Sequence, residues 1–198
     1  MKNINFDNIG VVKTKLSDDD YAHLLKQCLN KKDNPDMLTG VSEVGVAKHK
    51  CITNEKSLDI IKSYIFNLMK LYYEKYPSYL KSLKMIDSNL PIKLSNVWIN
   101  YQKAAEYIPL HFHDGVYSFN IWMKIPYNSS DKNYSGNFVF SYKNILGENN
   151  NHIIQMSSSE EGSIILFPSK LEHVVYPFYN SKGTRISIAG NLSFSTKL

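Results

Sequence analysis

Residues 107–125 read YIPLHFHDGVYSFNIWMKI, and this stretch carries two apolar runs divided by a turn signal. The first run covers 107–113 and the second covers 117–125, and both are rich in β-branched and aromatic residues. Such runs predict β-strands, and the Asp-Gly pair between them is expected to turn the chain. The stretch therefore predicts an antiparallel, mainly β architecture.

Similar short runs, separated by polar or glycine-containing stretches, occur on both sides of this stretch. Together with the two strands above, the predicted strands cover 92–102, 137–142, 152–156, 163–167, 172–176 and 184–195. Eight short strands at this spacing are typical of a β-sandwich or jelly roll. The loops 127–135 and 143–151 are expected to lie at the mouth of such a barrel.

The first ninety residues have a helical pattern instead. Ser17 is followed by three aspartates, which predicts the start of a helix. A second helix is expected from Glu55 to Lys75, because apolar residues recur there at helical spacing and Pro77 follows. Residues 36–53 are predicted to be a loop with one strand.

Length and composition fit one domain. The 198 residues include 43% hydrophobic ones and two cysteines, Cys28 and Cys51, which lack the spacing of metal ligands. We expect a mainly β (α+β) single domain in which residues 1–90 form a helical support and residues 91–198 form the β core. No apolar run is long enough to span a membrane and the N-terminus is polar, which favours a cytoplasmic protein without a membrane partner.

The net charge of +5 suggests nucleic acid as a partner, because basic proteins attract polyanions. The lysines, however, are scattered along the chain and do not form one basic stripe. The high usage of Lys, Asn, Ile and Tyr resembles that of proteins encoded by AT-rich DNA. Nucleic-acid binding is therefore only weakly supported.

Three predicted strands carry polar groups that could meet inside the barrel. His111 and His113 are two residues apart, so both imidazoles are expected to leave one face of their strand. His173 lies 60 residues after His113, near the start of a later strand. Arg185 is the single arginine of the chain, and Ser187 shares its face. A guanidinium binds a carboxylate through two parallel hydrogen bonds, so the set predicts a metal centre beside an anion-binding site.

These residues lie in two motifs that resemble those of the 2-oxoglutarate- and Fe(II)-dependent dioxygenases. The stretch from Pro109 to Gly115, followed by Ser118-Phe119, resembles the first metal motif. The stretch from Phe167 to His173, followed by 184–191 (TRISIAGN), resembles the second motif, which binds metal and cosubstrate. The similarity covers about half of the chain, and the chain looks closest to the small 2-oxoglutarate-Fe(II) oxygenases of bacteria and tailed phages.

The resemblance implies a double-stranded β-helix, or jelly roll, with the N-terminal helices packed on its outside. It implies Fe(II) held by His111, by the residue at the second ligand position and by His173. It also implies that 2-oxoglutarate chelates the iron, that its far carboxylate meets Arg185 and Ser187, and that O2 takes the remaining position. The superfamily often has a tyrosine some ten residues before the first ligand, which would place Tyr101 at the same carboxylate.

The second ligand position departs from the superfamily's usual His-x-Asp motif, because it is His113. Strand alternation favours a site of three histidines, His111, His113 and His173. Alternatively, a bulge at Asp114-Gly115 would turn the Asp114 carboxylate inward and restore two histidines and one aspartate.

The leading hypothesis is an oxygenase that hydroxylates an unidentified substrate by prolyl-hydroxylase-like chemistry. One alternative is a non-catalytic jelly-roll protein, such as a binding protein or a phage structural component. Another is a cupin-like metal enzyme of a different reaction class. The substrate could be a protein side chain such as proline, a free amino acid, a nucleic-acid base or a small metabolite, and the protein could be phage-encoded and act in the host cytoplasm.

Overall fold

The computed structural model describes residues 9–32, 48–52, 54–83, 91–129 and 134–195. Its helices are α1 (Asp18–Lys32), α2 (Glu55–Lys75) and the short α3 (Ser78–Ser82). Its strands are β1 (Val12–Lys15), β2 (Lys48–Cys51), β3 (Ile92–Gln102), β4 (Ile108–His111), β5 (Tyr117–Lys124), β6 (Phe138–Lys143), β7 (Asn149–Ile154), β8 (Ser163–Pro168), β9 (Glu172–Val175) and β10 (Arg185–Phe194).

The strands form two antiparallel sheets. The main sheet has six strands in the order β1-β8-β5-β10-β3-β2, and the minor sheet has four in the order β4-β9-β6-β7. Consecutive strands from β3 onward alternate largely between the two sheets, which is the winding of a double-stranded β-helix. The predicted jelly roll with supporting helices is therefore confirmed.

Each face of the main sheet has its own core. One face packs against α1 and α2 in a cluster that includes Leu24, Ile61, Ile99, Phe119 and Ile188. The other face meets the minor sheet in a second cluster that includes Trp122, Phe138, Phe140, Ile165 and Phe167. Because side chains alternate along a strand, the residue next to each helix-facing residue points into the space between the sheets. We call this space the chamber.

The sequence determines where helix α2, which packs against the main sheet, begins and ends. Asn54 caps its start, and the Asn54 side chain accepts a hydrogen bond of 3.0 Å from the Ser57 backbone N–H. Its buried stripe faces the sheet, and the helix stops at Lys75, just before Pro77. The predicted bounds of this helix are confirmed. No helix in the described ranges is long and apolar enough to cross a membrane.

Most predicted strands lie within two or three residues of the observed ones, but the N-terminal half and β7 differ. The first ninety residues contribute β1, which was not predicted, and β2, which lies in the segment 36–53 where one strand was predicted. These two strands extend the main sheet at its two edges. Strand β7 begins at Asn149, although residues up to 151 were expected to be loop. Residues 33–47, which hold most of the loop predicted for 36–53, lie outside the described residues.

Candidate metal centre and anion site

Three histidines meet at one end of the chamber. His111 ends β4 and is paired across the minor sheet with His173 of β9. His113 follows two residues after His111, and one ligand nitrogen from each of the three lies within 4.8 Å of the others. The ring centroids of His111 and His173 are 4.2 Å apart. Three nitrogens this close can bind one metal ion.

Backbone carbonyls orient two of these rings. His111 Nδ1 lies 2.7 Å from the Pro109 carbonyl oxygen, and His173 Nδ1 lies 3.0 Å from the Leu171 carbonyl oxygen. A carbonyl oxygen only accepts, so each Nδ1 must carry the proton and donate it. Each Nε2 then keeps its lone pair for a metal, which is the usual way that a protein orients a ligating histidine.

Burial keeps the three imidazoles neutral. Burial is the main cause that holds the pKa of His173 well below its usual value, and the nearby His111 lowers this pKa further. The His173 ring stacks on Phe138 at a centroid distance of 5.3 Å. Burial also lowers the pKa of His113 to about 4 and lowers the pKa of His111. Neutral imidazole is the form that binds metal, so the site is preformed at neutral pH.

Asp114 lies outside this cluster. Its side chain is fully exposed and pairs with Lys170, with Nζ 2.9 Å from Oδ1. The Lys170 ammonium lowers the pKa of the Asp114 carboxyl. The chain does turn at Gly115, whose φ is +124°, but the turn leaves Asp114 facing solvent. The geometry therefore does not favour the bulge alternative, and it brings His113 to the cluster instead.

Arg185 is buried in the chamber, only 4% exposed, at the start of β10. One terminal nitrogen donates to the Tyr127 hydroxyl at 2.5 Å and to the Gly136 carbonyl at 3.1 Å. The other donates to Gln102 Oε1 and, at 3.5 Å, to the Tyr176 carbonyl. All of these acceptors are neutral, since burial also raises the pKa of the Tyr127 phenol.

No acidic side chain in the described part of the chain forms an ion pair with Arg185. A buried charge without a counter-ion costs several kcal/mol, and proteins normally avoid that cost by pairing the charge. Arginine cannot escape it by losing its proton. The arrangement therefore fits an anionic ligand held by the guanidinium.

Ser187 and Tyr101 have different positions. Ser187 lies two residues after Arg185 on the chamber face, and its hydroxyl accepts a hydrogen bond of 3.3 Å from Asn100. Tyr101 is paired with Ile186 and packs in the helix-side core, where its hydroxyl donates to the Cys28 carbonyl at 2.6 Å. The expectation that Tyr101 joins the anion site is thus wrong, because strand alternation turns it to the opposite face of the main sheet.

Two residues at the guanidinium were missed from the sequence. Gln102 is paired with Arg185 across β3 and β10, so it occupies the place that Tyr101 was expected to fill. Tyr127 lies beyond β5 and stacks on Phe178 at a centroid distance of 4.3 Å. The register of β3 against β10 would have identified Gln102, but no sequence signal fixes that register.

The buried histidines predict a pH dependence of stability for the metal-free protein. Below the usual histidine pKa of 6.5, the unfolded chain binds more protons than the folded chain, so stability should fall as the pH falls. We expect the urea midpoint to decrease between about pH 7 and about pH 5. In His173→Gln, which lacks the most deeply buried imidazole, the decrease should be smaller. Parallel curves for the two proteins would contradict the burial of a neutral His173.

Comparisons with known proteins identify a matching family and several solved structures with a similar fold. Residues 96–191 match the family described as "Putative 2OG-Fe(II) oxygenase", where 2OG stands for 2-oxoglutarate. The matched segment contains all three histidines and Arg185. No curated protein matches the chain in sequence.

Several solved structures share the fold at low identity. A prolyl-4-hydroxylase from Pseudomonas putida has a TM-score of 0.63 at 12% identity, with 94% of each chain covered. A prolyl hydroxylase from Trichoplax adhaerens, in complex with a hypoxia-inducible-factor peptide fragment, has a TM-score of 0.63 at 14% identity, covering 95% of this chain and 83% of that one. HygX from Streptomyces hygroscopicus, with nickel and 2-oxoglutarate bound, has a TM-score of 0.58 at 10% identity, covering 96% and 84%.

Identities this low establish a shared fold alone, but the family match adds the motif-bearing segment to it. The double-stranded β-helix, the histidine cluster and the match over residues 96–191 lead to one classification. The chain belongs to the superfamily of 2-oxoglutarate- and Fe(II)-dependent oxygenases, and it is an enzyme of that class.

Proposed function

We propose that the protein hydroxylates an organic substrate, with Fe(II) bound by His111, His113 and His173 and 2-oxoglutarate bound by Arg185. The observation that carries this proposal is a buried guanidinium that forms no ion pair with any acidic side chain of the described residues, in the same chamber as three neutral imidazoles. A divalent metal needs the imidazoles and a dicarboxylate needs the guanidinium. A binding protein with no cosubstrate has no use for the second group.

The side chains present fit this metal and this cosubstrate. Three imidazole nitrogens suit ferrous iron and leave positions open for other ligands. With 2-oxoglutarate and O2 bound, ferrous iron supplies the oxidising chemistry while the keto acid is decarboxylated to succinate. The protein's own contribution is binding, orientation and the exclusion of water.

Each part of the chamber has a separate task in this proposal. Arg185 supplies the positive charge for the far carboxylate of 2-oxoglutarate, which would take over N–H groups that now donate to neutral acceptors such as the Tyr176 carbonyl at 3.5 Å. Ser187 adds a hydroxyl on the same face. Gln102 and Tyr127 hold the guanidinium in one orientation before the ligand arrives. The rings of Phe138, Phe140 and Phe167 surround His173 and would keep water from that side of a bound metal.

The structural neighbours suggest which type of oxidation the protein performs. Prolyl hydroxylases are among them, and one was solved with a peptide. We therefore favour a hydroxylation of the prolyl-hydroxylase type, with a protein side chain or a small molecule as substrate.

We also propose that residues 1–90 support the β core of residues 91–198 within one domain. A cytoplasmic location and a phage origin stay predictions from the sequence.

The first test is thermal stabilisation by metal and cosubstrate. A ligand at a hundred times its Kd stabilises the native state by about 2.7 kcal/mol. For a chain of this size, that corresponds to a rise in Tm of roughly 5–10 °C. We expect Mn(II) with 2-oxoglutarate to raise Tm in this way, and 2-oxoglutarate with EDTA to raise it much less. Fe(II)-loaded protein should also form succinate slowly from 2-oxoglutarate in air.

Two outcomes would contradict the proposal. If neither the metal nor 2-oxoglutarate raises Tm, the result would favour a jelly-roll protein without catalysis. Binding of metal without any response to 2-oxoglutarate would favour a cupin-like enzyme of another reaction class.

A further inference from the structure

Two buried amide side chains in the chamber have unpaired polar atoms. Asn100 is 6% exposed and Asn120 is 7% exposed. Among the described residues, Asn100 Oδ1 and Asn120 Nδ2 have no hydrogen-bond partner. Buried polar groups are nearly always paired in native structures, so each unpaired one calls for a reason. A ligand that completes the pairing is one such reason.

Strand register places both amides along β10, between the guanidinium and the histidines. Asn100 is paired with Ser187, which lies two residues after Arg185. Asn120 is paired with Ala189, two residues further along.

All of these side chains point into the chamber. Ile99, Tyr101, Phe119 and Ile121, their neighbours on β3 and β5, belong to the helix-side core, so strand alternation turns the amides to the other face.

The far end of this row reaches the metal centre. Ala189 is paired on its other side with Trp98, whose ring centroid is 5.8 Å from that of His113. The middle strand, β10, has small side chains at Ser187 and Ala189, so little side-chain volume rises from it into the chamber. Asn100 lies on β3 at one side of it, and Asn120 lies on β5 at the other side. This forms a trough from Arg185 toward the histidines, with Asn100 beside its middle and Asn120 beside its metal end.

The polar atoms of the trough favour an anion. The paired positions of its wall hold only neutral or cationic side chains, namely Trp98, Asn100, Gln102, Asn120, Trp122, Arg185, Ser187 and Ala189. Asn120 already presents an N–H donor. Asn100 contacts Ser187 through one end of its amide, and the opposite amide orientation would accept from the Ser187 hydroxyl and present N–H to the trough.

We propose that Asn100 and Asn120 bind 2-oxoglutarate, with Asn120 donating to its metal-side carboxylate and Asn100 donating along its length toward Arg185. This inference rests on the function proposed above. It adds two direct contacts to the cosubstrate and explains why one polar atom of each amide has no partner among the described residues. Hydrogen bonds to a charged group are stronger than neutral ones, so each contact should have a measurable effect on affinity.

The test replaces each amide by leucine, which has a similar size and no polar atoms. We expect Asn100→Leu and Asn120→Leu to weaken 2-oxoglutarate binding to the Mn(II)-loaded protein about tenfold or more. The affinity for Mn(II) alone should not change. The Tm of the ligand-free protein should stay the same or rise, because an unpaired buried group has been removed. The measurements are calorimetric titration and thermal unfolding, neither of which needs turnover.

Two further variants keep the test decisive. Asn137→Leu is the matched structural control, because Asn137 is fully buried and its amide oxygen accepts from the Met156 N–H at 3.2 Å. It should lower the Tm of the ligand-free protein. Asn120→Asp keeps the shape of the native side chain, so it tests the contact even if the leucine variant does not fold. Its negative charge should weaken 2-oxoglutarate binding further than leucine does.

The outcomes separate this inference from the proposed function. If the unmodified protein does not bind 2-oxoglutarate, both ideas fail. If it binds while all amide variants bind equally well, only the role of the amides is overturned. A fall in ligand-free Tm like that of Asn137→Leu, with unchanged affinity, would make them structural.

Discussion

Replacing Arg185 by lysine is expected to weaken 2-oxoglutarate binding by about ten- to a hundredfold while the metal centre still forms. Lysine keeps the positive charge but loses the planar fork, so it cannot hold both oxygens of a carboxylate. It also cannot reach Gln102, Tyr127 and the carbonyl groups in the way that the guanidinium does. Titration of 2-oxoglutarate into the Mn(II)-loaded variant measures the effect.

Two companion measurements show whether the loss is specific to the fork. Tyr127→Phe removes one partner of the guanidinium and leaves the fork, so its effect on 2-oxoglutarate affinity should be smaller. The affinity of Arg185→Lys for Mn(II) alone should equal that of the native protein. Equal binding of 2-oxoglutarate by the native and lysine proteins would remove the anion site from the proposed function.

The strands of the core could be predicted because their sequence signals are local. Short apolar runs with Pro or Gly next to at least one end mark β3, β5 and β8 to within a residue. Strand β7 was placed too late because its first three residues are asparagines, which have low β propensity. Those residues lie in an edge strand and are largely exposed, so solvation and pairing with β6 set the strand.

Strand β1 had no local signal at all. Its residues, Val12–Lys15, are mostly polar and exposed, and only pairing with β8, some 150 residues later, makes them a strand. Non-local pairing of this kind cannot be seen in a window of sequence. The same limit explains Tyr101 and Gln102. Spacing from the first histidine suggested Tyr101, but the register of β3 against β10 decides which of the two faces the chamber.

The histidine cluster was predictable for a different reason. His111 and His113 share a face by simple alternation, and the structure keeps that alternation although β4 ends at His111. The backbone N–H of His113 donates to the Ser169 carbonyl at 2.8 Å, which holds the chain beyond the strand end. His173 was predicted from its motif, and its pairing with His111 brings the two rings together. Tyr127 lies in an irregular segment, so neither alternation nor a motif predicts its contact with Arg185.

The identity of the third metal ligand gives the second large expected effect. We expect His113→Ala to weaken Mn(II) binding at least a hundredfold, since loss of even an outer partner of a metal ligand typically costs about ten- to a hundredfold. Asp114→Ala should leave Mn(II) binding almost unchanged, because its side chain is exposed and paired with Lys170 on the surface. Calorimetric titration of Mn(II) into each variant measures both effects.

His113→Asp tests the same position in the opposite sense. It places a carboxylate where the superfamily's usual motif has one, so this variant should bind Mn(II) much more tightly than His113→Ala does. Its shorter side chain must reach the metal from the backbone position that His113 now holds. The double variant His113→Ala/Asp114→Ala should then behave like His113→Ala alone. If it binds metal far more weakly, Asp114 replaces the lost imidazole by moving inward, and the turn at Gly115 is the part of the chain that lets it do so.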